Sequence, residues 1–350
     1  MRNHKTGIRV LGIAGLILAS IFPSLSAAGD LPEAGAYREI GRFELGGSGG
    51  WDCLAVDSIA RRVYIARSDR VMVVNADTGK TEGELTGLEG AHGIAIDKEK
   101  GLGFAASGKS GEVFVFQLSD LRLKAKIRTG ENPDIVLFEP LTGNVFAFNG
   151  KSRDLSVIDP GLMKVVGTLS LPGKPEFAVS DGKGKVFVNI EDRSTLEALD
   201  VRNLKRIATY PLTPCESPSG LAIDAGTNRL IVGCGNRTAV ILNSETGQVL
   251  QSFKAGSGVD GAAFDASRNV AFISAGEGLL TVLSEETKGF KFLQELPTVR
   301  GSRTMAVDEK TGSVFLPMAK FEVPRSDTGN QGRVRPVVVS GTFALMVIGR

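Results

Sequence analysis

Apolar residues in this chain fall in short runs, some continuous and some alternating with polar residues, and Gly, Pro and Asp break them apart. The stretch from Val145 to Asn189 shows the pattern best. Val145-Phe146-Ala147-Phe148-Asn149 returns as Val186-Phe187-Val188-Asn189 about forty residues later. Between them lie Leu155 to Ile158, Val165 to Leu171 and Phe177 to Val179. The separators are Asp159-Pro160-Gly161, Pro172-Gly173-Lys174-Pro175 and Asp181-Gly182-Lys183-Gly184. Runs this short, punctuated this often, do not build helices. Four short strands per unit, repeated at this period, predict the blades of a β-propeller.

The blades can be counted. Each unit carries a short apolar strand ending in an acid, at Asp57, Asp97, Glu139, Asp181, Asp224, Asp265 and Asp308, with spacings of 40, 42, 42, 43, 41 and 43 residues. Seven marks predict an all-β, seven-bladed β-propeller with four antiparallel strands per blade. Strand a lines the central channel, and strands b, c and d lie progressively outward. The acids are expected to fold back onto the backbone of the turn that follows them. The last unit offers strand a at Thr304 to Val307, strand b at Val314 to Pro317 and strand c at Ala344 to Ile348. It then lacks a fourth strand, and Tyr37 to Leu45 is expected to supply it. Closure of this kind hides the sheet edges that an open array would expose. The seventh blade also carries an insertion at about 321–343, expected on the top face, where Arg325, Arg333 or Arg335 would reach the channel mouth.

The N-terminus reads as a targeting segment. Arg2, Lys5 and Arg9 precede the apolar stretch Val10 to Phe22, and Ser26-Ala27-Ala28 offers a cleavage site. Residues 1–28 are therefore expected to be a signal peptide, 29–36 a short leader and 37–350 a single propeller in the periplasm or outside the cell. The apolar stretch is too short for a comfortable membrane span, and no second one of that length follows. This changes the charge picture. The full chain has 41 Lys+Arg against 39 Asp+Glu, and loss of the signal's three positive charges leaves 38 against 39. A basic footprint for nucleic acid is absent, and aromatic stacking platforms are not visible.

The repeat units, above all LSVID, VVGTLSLPGKPEFAVS and the returning VFVN between Val145 and Asn189, resemble the YncE-like, YVTN-repeat family of seven-bladed propellers. The resemblance covers about 300 residues. It implies an exported or periplasmic protein, often without an assigned activity. Tyr64-Ile65-Ala66-Arg67, Ile231-Val232-Gly233-Cys234 and Phe315-Leu316-Pro317-Met318 depart from the signature tetrapeptide in their blades.

Candidate chemistry sits at fixed offsets from the repeat acids. Five residues before them, where strand a begins, stand Asp52, His92, Asp134, Glu176, Ser219, Asp260 and Arg303. Ten residues after them, where strand b ends, stand Arg67, Ser107, Asn149, Glu191, Cys234, Ala275 and Met318. The first ring, with Asn149 and Glu191 from the second, is the expected ligand site. Converging carboxylates repel one another, so some hold protons or recruit a cation. Asp134, Glu176 and Asp260 suit a divalent ion such as calcium or magnesium. The other reading is that the acids pair with Arg303, Arg67 or loop arginines.

His92 is the one histidine beyond the signal, which excludes a His-rich zinc site. Cys215 and Cys234 belong to one blade, and in an exported protein a disulfide between them is an open alternative to free thiols. Cys53 reads as a buried thiol. There is no CxxCH haem site, no Gly-rich phosphate loop and no HExxH. The leading expectation is a monomeric binding or scaffolding module without catalysis, taking a small molecule or an envelope protein at the channel mouth. The alternative is a divalent-metal-assisted, lactonase-like propeller hydrolase or lyase.

Overall fold

Successive side chains of a strand point to opposite faces, and in the b and c strands of this protein both faces are buried, while the outermost d strands alternate between half-buried and exposed. Val145 and Ala147 pack toward the blade before, whereas Phe146 and Phe148 pack toward the blade after. The same division holds in the first blade, where Tyr64 and Ala66 face one neighbour and Val63 and Ile65 the other. Seven hydrophobic clusters result, one at each interface between neighbouring blades. The double burial explains why the strands read as nearly continuous apolar runs.

The computed structural model describes residues 1–2, 35–323 and 336–350. It contains seven four-stranded antiparallel sheets, each in the order a, b, c, d. The a strands are Leu54–Asp57, Ala91–Asp97, Pro133–Glu139, Pro175–Ser180, Pro218–Asp224, Val259–Asp265 and Ala306–Val307. Each packs against the a strand of the next blade, and the seventh packs against the first, so the ring is closed. In the last blade Ala306–Val307, Val314–Met318 and Ala344–Gly349 are joined by the N-terminal strand Arg38–Glu44, which pairs with Ala344–Gly349. The all-β, seven-bladed architecture and its closure by the N-terminal strand are as the sequence predicts.

The repeat acids do the local work expected of them. Asp57, Asp97, Asp224, Asp265 and Asp308 each accept a hydrogen bond from the backbone N–H two residues on. Glu139 does the same for Leu141 and Thr142, and Asp181 for Lys183 and Lys185. These carboxylates are turn clamps on the face opposite the ring positions.

The neighbouring a strands approach closely around the narrow channel, and Gly93 shows how closely. A Cβ there would lie 2.6 Å from both the Asp134 carbonyl oxygen and the Val136 nitrogen. Gly93→Ala is expected to cost about 1–3 kcal/mol, because backbone on the facing strand has to move. Gly41→Ala, where an added Cβ meets nothing within 4 Å, is the control. Denaturant unfolding of the two variants gives the comparison, and equal stabilities would show that the a strands are not tightly apposed.

Apart from Met1 and Arg2, the expected signal segment lies outside the described residues, as does most of the leader. Arg325, Arg333 and Arg335 also lie outside them. Among the described residues no helix is long and apolar enough to cross a membrane. The two ends of the insertion are described: Phe321–Glu322 pairs with Val337–Val338 as a small antiparallel ladder. Its base packs on Trp51, whose ring centroid is 5.8 Å from Phe321 and 5.5 Å from Phe343.

Candidate functional site

The pairing of strands a and b slips where the candidate residues stand. The register shifts between Ala91 and Ile94, Pro133 and Ile135, Pro175 and Ala178, Pro218 and Leu221, and Val259 and Gly261. Each slip spans the ring residue of its blade: His92, Asp134, Glu176, Ser219 or Asp260. A bulge frees the residue from the ladder and re-aims its side chain, here toward the channel. Asp52 and Arg303 stand just ahead of their a strands.

All seven ring positions line one cavity of about 370 Å³ at the channel mouth. Ile135, Phe177 and Val259 add apolar wall, and Lys174 and Glu191 add charge. Five carboxylates thus face two permanent cations and one histidine. Their contacts form a chain around the rim. Ser219 Oγ donates to Asp260 at 2.7 Å, and Arg303 Nε donates to the other oxygen of Asp260 at 2.5 Å. Arg303 Nη2 lies 3.4 Å from Asp52, which lies 2.5 Å from His92 Nδ1. The same His92 nitrogen is 3.5 Å from Asp134. On the far side, Lys174 Nζ sits 2.6 Å from both Glu176 and Glu191.

The electrostatics follow from this crowding. Burial pushes the Asp134 carboxyl up to about 6; Asp52 adds to the rise, while His92 and Lys174 oppose it. Hydrogen bonding to Asp52 raises the His92 pKa against the pull of burial. Burial also raises Asp260, against Arg303 and Ser219. Glu176 is pushed up by burial and by Asp134, against the Lys174 ammonium. A cavity of this kind keeps exchangeable protons at neutral pH.

Several expectations need correction. Asp134, Glu176 and Asp260 do not form one coordinating set, because Lys174 holds Glu176 and Arg303 holds Asp260. Among the described residues, the group that could share an ion is Asp52, His92 and Asp134, whose donor atoms lie within 4.8 Å of one another. With an imidazole present, this set suits zinc or manganese better than the calcium or magnesium expected from carboxylates alone.

Asn149 is fully buried one strand outward from the channel, where its Nδ2 donates to Asp154 and Ser156, and it does not line the cavity. Arg67 does not pair with the ring acids. It is buried, donates to the carbonyls of Ser48, Gly49 and Gly50, and lies 3.6 Å over the Phe343 ring. Glu191 does reach the cavity, because it falls beyond the end of strand b in the short 3-10 turn Glu191–Arg193. Lys174, from the loop before the fourth a strand, is the charged wall residue that the fixed offsets missed.

Cys215 and Cys234 form a disulfide with a Cα–Cα distance of 5.5 Å. It stands beside the wall residues Ser217 and Gly235. Cys53 is a buried free thiol, pushed well up by burial.

No protein-family model matches the sequence, and no curated protein matches it. Solved structures do. The RRP9 WD40 repeats align with a TM-score of 0.71 at 9% identity, covering 89% of this chain and 97% of that one. U3-55K aligns at 0.70 and 8% identity, over 89% and 98% of the two chains. Hydrazine synthase of Kuenenia stuttgartiensis aligns at 0.65 and 14% identity, over 78% and 93%. At these identities the likeness is one of fold.

Proposed function

We propose that the chain is an exported member of the YVTN-repeat propellers that binds a small ligand or an envelope partner through a positively charged group seated in the channel mouth. The observation that carries this reading is the convergence of one side chain from each of seven blades on a single cavity with more acids than cations. A signal segment over residues 1–28 and a buried disulfide both fit an oxidising compartment. Propellers also serve as platforms in assemblies, and one similar chain belongs to the mitotic checkpoint complex, with a TM-score of 0.70 at 13% identity.

Thermal melting with 1,4-diaminobutane or arginine added tests the reading. A ligand at a hundredfold excess over its Kd adds about 2.7 kcal/mol of stability. Both cations should raise the midpoint, and uncharged 1,4-butanediol should not. No shift with any cation would overturn a cation-binding mouth.

The grouping of Asp52, His92 and Asp134 favours a second reading, a metal-assisted hydrolase or lyase. A divalent ion held there would polarise a bound carbonyl, with Glu176 or Asp260 placed to move a proton. Zinc or manganese added after chelation should then raise the midpoint in the wild type and not in His92→Gln. Equal midpoints with and without metal would remove this reading.

A further inference from the structure

A second polar cavity, of about 450 Å³, opens between the top loops of blades 2 and 3. Lys109, Arg128 and Lys151 line it together with Ser110, Thr129 and Ser152. Among the described residues its one carboxylate is Glu131. Three cations therefore share a groove with a single acid, the reverse of the central mouth. Among the described residues none of the three forms an ion pair; the rim's own ion pairs engage Lys174 and Arg303 instead. Glu112, the ladder partner of Arg128, does not pair with it either. Unpaired cations beside hydroxyls are the chemistry that grips a phosphate, sulfate or carboxylate.

The groove adjoins the mouth. Gly108 lines it, and a Cβ on Gly108 would lie 2.9 Å from His92 Nε2 and 3.2 Å from Asn132 Oδ1. A Cβ on Gly90 would lie 3.4 Å from the Lys109 stem and 3.6 Å from His92 Nε2. The His92 ring therefore forms the partition. Its Nδ1 edge faces Asp52 and Asp134 in the mouth, and its Nε2 edge faces the basic side. Two glycines keep that partition low.

We infer that the groove is an oxyanion subsite for the acidic group of the same ligand whose cationic part enters the mouth. The groove stands on its own lining; the shared ligand rests on the reading of the mouth given above. The ligand class is dipolar, with an amine or guanidine separated by a few bonds from a phosphate, sulfate or carboxylate.

The test is calorimetric titration of the chain at fixed ionic strength with pyrophosphate, citrate, 1,4-diaminobutane and 4-aminobutyl phosphate. The variants are Lys109→Gln/Lys151→Gln in the groove and Asp134→Asn in the mouth. Pyrophosphate should bind the wild type and Asp134→Asn alike, and at least tenfold more weakly to the groove variant. Citrate binding with the same pattern identifies a carboxylate as an accepted group, and its failure beside pyrophosphate binding restricts the subsite to phosphate-like anions. 4-Aminobutyl phosphate should bind at least tenfold more tightly than either half alone and lose that gain in both variants. Pyrophosphate binding that is absent, or equal in the groove variant, overturns the subsite. Pyrophosphate binding as expected, with no gain from the tethered amine, overturns the shared ligand. Diaminobutane binding that ignores Asp134→Asn shows separately that the reading of the mouth has failed.

Discussion

Asp134→Asn should make the propeller more stable and, on the proposed reading of the mouth, a weaker binder of cations. Burial holds this carboxyl at about 6, against the ordinary 3.8 of an aspartate. At pH 7 the folded state therefore carries an ionised group that it disfavours. A shift of this size corresponds to about 3 kcal/mol, of which a partly exposed carboxylate realises roughly 1–2. Thermal midpoints should rise by about 2–6 °C. The sign fixes the pH window. The folded state holds the Asp134 proton more tightly than the unfolded chain, so the wild type loses stability as pH rises through the interval from 3.8 to about 6. The advantage of the Asn variant is full above that interval, shrinks within it and vanishes below it. His92, also raised, acts in the same direction, since its contribution is present below its unfolded value and lost as pH rises through the folded one.

Affinity should move the other way. A cation in the mouth competes with the Asp134 proton, so that group alone should raise its affinity by about tenfold between pH 5 and pH 7 in the wild type, and the rise should be shallower in the variant, where only His92 and Glu176 still titrate. An inert salt-bridge network predicts a less stable Asn variant instead. Melting curves and titrations at three pH values distinguish the two.

Loss of the Cys215–Cys234 bond is the other large effect. The two residues are separated by 19 positions and both are buried in the interface between blades 4 and 5. Releasing a loop of that length costs about 3 kcal/mol through the entropy of the unfolded chain. The Cys215→Ala/Cys234→Ala variant should melt roughly 6–10 °C below the wild type. Ser217 and Gly235 stand beside the half-cystines on the cavity wall, so the variant should also bind mouth ligands more weakly. Wild-type stability in the variant would mean that the loop is held by its packing alone.

The blade count was legible because each turn needs an acid at the same point, and seven such turns leave a periodic trace. The ring was legible because one bulge follows the same geometry in blade after blade, so a fixed offset finds it. The same offset from strand b misplaced Asn149 and Arg67, since that strand lies one step out from the channel and its last residue is held there, Asn149 by Asp154 and Ser156 of its own blade and Arg67 by loop carbonyls and the Phe343 ring. Glu191 escapes only because it opens a short turn beyond the end of that strand. Lys174 carries no periodic signal, as it comes from a loop whose length differs between blades. The ion pairs were beyond reach for another reason: the sequence names the charges on the rim, but which cation meets which acid depends on distances of a few ångströms across different blades.

The bulges carry a consequence for how this protein could change. In five blades the residue facing the channel is released from the ladder, so its identity places little demand on the sheet that presents it. Recognition and architecture are then written at separate positions. If the mouth binds a ligand as proposed, new preferences should be reachable by substitutions around the rim with the seven interblade cores left undisturbed, although neighbours joined by ion pairs will change together. Closely related propellers should accordingly diverge at these rim positions first, and a library randomised there should remain folded while its binding spectrum spreads.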